Sequence, residues 1–146
     1  MMELADINEE IARNLYSPFH YDSQKRKVKP AAFKPPVGSN EVSVLRLQVW
    51  SLDKILEYGK LCESADKNFM GTGILKVGAI NEKGILEVRI SPMQDDVRNI
   101  FLEAHADIVY LNYIAERGKE APPQILLLMK KLAELASQNF HQAENS

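Results

Sequence analysis

His20 in Phe-His-Tyr-Asp and His105 in Ala-His-Ala-Asp are the side chains best suited to proton chemistry. Each has a carboxylate two residues on, Asp22 and Asp107. In extended backbone, residues i and i+2 share a face, so each acid can orient its imidazole as a general base. Arg46 is a third candidate, a charge inside the otherwise apolar run around Val44, Leu45 and Leu47. Metal-independent phosphodiester or nucleotide chemistry needs a base, an acid and a cation on the pentavalent phosphate. An enzyme of this kind would use His20, Arg46, His105 and Asp107, with the histidines and arginine within about 8 Å in one cleft. The plainer reading makes both histidines structural and pairs Arg46 with Asp107 or Glu87 across a sheet.

A second chemistry is electrostatic. Lys25, Arg26, Lys27, Lys29 and Lys34 follow one another without an intervening acid, and Tyr21 and Phe33 flank them. Cations that track phosphates beside rings that stack on bases suit single-stranded nucleic acid, and an acidic protein partner fits the same charge. The bland alternative is a solvated loop kept soluble by its lysines.

Other chemistry finds little footing. His20, Asp22, His105 and Asp107, with Asp95 and Asp96, have no metal-ligand spacing such as H-x-x-x-H, so neither metal nor cofactor is expected. Cys62, the single cysteine, has no neighbouring histidine and reads as a packing residue. Gly71-Thr72-Gly73 lacks the Lys-Ser/Thr of a phosphate loop and reads as a bend.

The elements that must position these residues follow from periodicity. Asp6–Tyr16 reads as a helix, with Ile7, Ile11 and Leu15 four residues apart and Asp6 as its cap. Residues 19–40 form a basic, Pro-rich loop, ordered but irregular, tied down by Val28 and Phe33. Glu41–Trp50 reads as a strand, and Ser51 caps a helix to Cys62 with Leu52, Ile55, Leu56 and Leu61 inward. Ile74–Ile80 and Ile85–Ile90 read as a hairpin turning at Asn81-Glu82-Lys83-Gly84. Val97–Ala104 fits a short helix or a loop, and Ala106–Leu111 a strand. The last helix starts at Pro122 or Pro123 and carries the stripe Ile125, Leu128, Met129, Leu132, Leu135. Residues 1–4 and 139–146, which include His141, are expected to fray.

Composition sets the outer bounds. The chain has 146 residues, 45% apolar and 26% charged, with a net charge of -2. That suits one α+β domain over 1–146, with an antiparallel sheet of about four strands packed by two or three helices. One cysteine, no long apolar run and an acidic N-terminus point to a cytoplasmic protein away from membranes.

The segments Val28-Lys29-Pro30-Ala31-Ala32-Phe33, Val42-Ser43-Val44-Leu45-Arg46 and His105-Ala106-Asp107-Ile108 resemble those of a group of small uncharacterised bacterial proteins. The likeness spans Phe19 to Tyr110 and implies a bacterial, cytoplasmic protein without implying an activity. Two functions therefore stand side by side. One is a binding or accessory module that meets a protein or single-stranded nucleic acid through loop 19–40. The other is the two-histidine enzyme.

Overall fold

Residues 3–82 and 84–143 are described by a computed structural model. The segment expected to be the first helix is instead a strand, β1 (Glu10–Ser17). Ile11 and Leu15 satisfied a helical period, but Ala12 and Tyr16 are buried as well, on the opposite side. A short segment buried on both faces is the pattern of a central strand, which a four-residue spacing cannot distinguish from a helix.

β1 pairs along its length with β5 (Asn68–Lys76), and next to it lies β4 (Glu41–Arg46). With β6 (Leu86–Ile90), β9 (His105–Tyr110) and β10 (Phe140–Gln142), they form a six-stranded sheet in the order β10-β5-β1-β4-β9-β6. All its pairings are antiparallel. The mixed helix and strand content is that of an α+β fold, with more strands than expected. The additional strands come from the misread first helix and from the tail.

Two further corrections change the topology. β5 ends at Lys76, and Val77–Ile80 is a single helical turn, α2, with Val77 and Ile80 buried. β6 pairs with β9 rather than β5, so residues 81–84 do not close a hairpin between neighbours; Lys83 itself lies outside the described residues. Gly71 and Gly73 belong inside β5 rather than at a bend. Gly73 lets a helix come close, since a Cβ there would lie 2.7 Å from the Ala136 Cβ.

That helix is α3 (Pro123–Gln138), which covers one face of the sheet with Leu128, Met129, Leu132, Ala133 and Ala136. The other face carries α1 (Leu52–Leu61), capped by Ser51 as expected, with Ile55 packed among Ala12, Leu45, Trp50, Ile74 and Ala104. Leu61 points outward, against expectation. The ambiguous stretch before β9 is a small hairpin, β7 (Met93–Asp95) and β8 (Ile100–Leu102). The ends are not frayed where described: Leu4 bridges to Arg89, and β10 pairs with Gly71–Gly73.

Candidate functional site

β1 and β4 are paired at only two positions, Ile11↔Arg46 and Ala12↔Leu45. Beyond them Arg13 reaches across, donating from Nη1 to the Ser43 carbonyl (3.0 Å) and from Nε to the Ala32 carbonyl (2.9 Å). Ala32 sits in the 3-10 turn Pro30–Phe33, so the Pro-rich loop is tied to the sheet through this guanidinium. Beside it lies a cleft of about 500 Å³. Its apolar surface comes from Ala12, Leu45 and Leu102, α1 contributes Tyr58 and the residue capping its end, Cys62, and the β7–β8 hairpin contributes Met93 and Val97. Arg13, Lys67 and His105 also line it.

The charges in the cleft are unequally satisfied. Asp95 accepts from the Tyr58 hydroxyl at 2.6 Å and from Arg98 Nη1 at 3.0 Å, and these donors, Tyr58 first, hold its pKa down. Burial pushes the Tyr58 and Tyr16 phenols up, so both stay protonated donors; Tyr16 donates a hydrogen bond to the Gly59 carbonyl at 2.8 Å. Arg13 is met only by the two carbonyls among the described residues. Desolvation lowers its pKa to about 10, and among the described residues it has no carboxylate partner. Lys67 is likewise without an ion pair there and lies with Nζ 4.5 Å from the Tyr16 ring centroid. Asn14, which also lines the cleft, has a buried Oδ1 with no donor among the described residues.

The histidines and Arg46 are not brought together. His105 lies opposite Leu45, with Nδ1 2.9 Å from the Ser91 carbonyl. A carbonyl only accepts, so Nδ1 carries a proton. Ser91 Oγ then donates to Asp107 at 2.8 Å, while His105 Nε2 is 4.0 Å from Asp107 Oδ1. The two residues do share one face of β9. Asp107 also neighbours Glu41, whose carboxyl is pushed up by burial and then by the Asp107 charge.

His20 lies elsewhere, at the far end of β1, where its Nδ1 accepts from the Tyr16 amide at 3.3 Å. Asp22 does not orient it, because Asp22 Oδ1 accepts instead from the amides of Gln24 and Lys25 at 3.0 and 3.1 Å. Burial, then Arg13 and Lys67, lower the His20 pKa to about 4. Arg46, opposite Ile11, is held by Glu9 at 2.7 Å (Nε) and 3.1 Å (Nη2), not by Asp107 or Glu87. Arg46 is anchored opposite Ile11 and His20 at the Tyr16 amide, five positions on along β1, which separates the two anchor points by roughly 16 Å at the usual strand rise.

The basic residues divide into exposed cations and buried rings. β2 (Tyr21–Asp22) and β3 (Lys27–Val28) form a two-stranded ladder with Lys25 and Arg26 at the turn, and Lys25, Arg26, Lys27 and Lys34 are exposed. Lys29 Nζ donates to the Pro18 carbonyl at 2.7 Å. Tyr21 and Phe33 are core residues: Tyr21 stacks on Phe140 with centroids 4.7 Å apart, and Phe33 is fully buried. Neither ring can receive a base. Phe19, beside the run, is 57% exposed.

Arg13, Lys67 and Phe19 are the residues that sequence reasoning missed. Arg13 and Lys67 had no motif, and Arg13 would have lain on the solvated side of the helix expected there. Phe19 adjoined His20 and the exposed basic run, a signal available in the sequence. Among the described residues, no group of three or more His, Cys, Asp or Glu is placed to hold a metal ion, and no helix is long and apolar enough to cross a membrane. Compared with protein-family models, curated proteins and solved structures, the chain finds no match.

Proposed function

We propose that this protein is a binding module whose ligand is an organic anion, a phosphate or carboxylate on an apolar body, seated in the cleft against Arg13 and Lys67. The observation that carries this reading is the Arg13 guanidinium, half-buried beside the cleft, bonded to two carbonyls and with no carboxylate partner among the described residues. A cation partly withdrawn from water and met only by neutral carbonyls favours a counter-charge. An anionic ligand supplies that charge, and the apolar side chains of Leu45, Leu102 and Met93 suit the rest of such a molecule. His105 lines the same cleft, but with His20 and Arg46 outside its lining the two-histidine reaction has no geometric support.

The test is a thermal-shift and calorimetric screen of the purified chain with inorganic phosphate, adenosine monophosphate and citrate. Binding stabilises the folded state by mass action, so at least one organic anion raises Tm in proportion to the logarithm of its concentration. Lys67→Ala and Arg13→Gln abolish the rise, and Arg13→Lys retains part of it. No shift with any anion at millimolar concentration, or a shift indifferent to Lys67→Ala, overturns the reading.

A further inference from the structure

Resting on the anion-binding cleft, we infer that the ligand is the end of a single-stranded nucleic acid, its terminal nucleotide in the cleft and its following phosphates running along a line of cations to the β2–β3 hairpin. The line is continuous in contacts. Lys67 lies over the Tyr16 ring, and the His20 ring stands edge-on to that same ring at 6.1 Å. The Lys29 amide donates to the His20 carbonyl at 2.8 Å, and its Nζ lies on the Pro18 carbonyl. Lys25, Arg26 and Lys27 follow at the hairpin turn. Asp22, the one acid between His20 and Lys34, faces the amides of Gln24 and Lys25.

Three further observations favour a nucleic acid over an acidic peptide. None of Arg13, Lys25, Arg26, Lys27, Lys29, Lys34 and Lys67 forms an ion pair among the described residues, although the chain carries a net charge of -2. Seven cations left without acids match a regularly charged backbone. Phe19 stands exposed beside Pro18 and His20, so a base stacked on it continues the strand, and stacking of this kind accepts any base. The cleft also offers acceptors: Asn14 Oδ1 has no donor among the described residues and the exposed Asp96 carboxylate lines the same space, so a base amine finds a partner there.

Anisotropy with a labelled single-stranded twelve-nucleotide oligomer, set against calorimetry with adenosine monophosphate, tests the inference. The oligomer is expected to bind at least about tenfold tighter, with a log–log salt slope near -2 for three neutralised phosphates at about -0.7 each. Lys25→Glu with Lys27→Glu, and Phe19→Ala separately, weaken the oligomer several-fold more than the mononucleotide. A closed circular single strand, which has no end, competes at least about tenfold less well than the linear form. Equal affinity for oligomer and mononucleotide overturns the inference and leaves the cleft reading standing. So does binding of citrate with no binding of either nucleotide. Poly-glutamate binding as tightly as the oligomer at matched charge overturns it in favour of a protein partner.

Discussion

His20 shows how burial, aided by neighbouring positive charge, turns a candidate base into a neutral hydrogen-bond acceptor. An unfolded histidine titrates near 6.5, whereas the folded His20 titrates near 4 because of burial and the charges on Arg13 and Lys67. Between those values the unfolded chain binds a proton that the folded chain refuses. Stability from this residue is therefore complete above pH 6.5 and lost as pH falls toward 4. After discounting for partial exposure, the loss is about 2 kcal/mol. Urea midpoints measured from pH 7.5 to 4.5 should fall more steeply in the parent than in His20→Asn, which keeps an acceptor without a titrating group. An anion bound at Arg13 and Lys67 offsets their field, so NMR titration should show the His20 pKa rising on ligand addition. Glu9 and Arg46 behave differently, as a paired charge at 2% and 15% side-chain exposure. Glu9→Ala strands the arginine and removes the acceptor of the Asp6 amide, and is expected to cost about 3 kcal/mol in denaturant midpoints. The Glu9→Ala, Arg46→Ala double variant should cost less than the sum of the two single changes.

Among the elements, the contact of α3 with β5 depends on one missing side chain. A Cβ at Gly73 would meet the Ala136 Cβ at 2.7 Å, and backbone at 3.3 Å lies behind it. Neither neighbour is the end of a flexible chain, so Gly73→Val forces the helix off the sheet and is expected to cost about 2–3 kcal/mol by thermal denaturation. Gly73→Val with Ala136→Gly should recover part of that loss. α3 was legible because its stripe recurs over about three turns, and α1 because Ser51 caps it where its apolar period begins. β1 was not. Four-residue spacing over a short segment fits a helix or a doubly buried strand, and only the neighbouring strands decide between them.

Across the whole molecule, the end of α3 and the last strand hold the basic hairpin in place. Phe140 of β10 stacks on Tyr21 of β2, and the Ser137 hydroxyl accepts the Val28 amide of β3 at 2.9 Å. Phe140→Ala should cost about 2 kcal/mol, less than a fully buried ring would. Hydrogen exchange at Tyr21 and Val28 should speed up more than at Ile11 or Leu15 in the sheet centre. If the hairpin amides stay as protected as before, the last strand does not hold them.

Local chemistry in the sequence determined several features of this protein. Pro123 and the five-residue stripe place the last helix, Ser51 starts the middle one, Val28 and Phe33 anchor the long loop, and Leu86 and Val88 face inward while Glu87 and Arg89 face out. These depend on each residue's own preference and on neighbours a few positions away. The tertiary structure alone decided that Glu9 rather than Asp107 receives Arg46, that His20 and His105 stand apart, and that Arg13 lines a cleft among β1, α1 and the β7–β8 hairpin. Each of those outcomes depends on strand order. Strand order is set by which faces bury the most apolar surface together, a property of the whole sheet that no single segment carries.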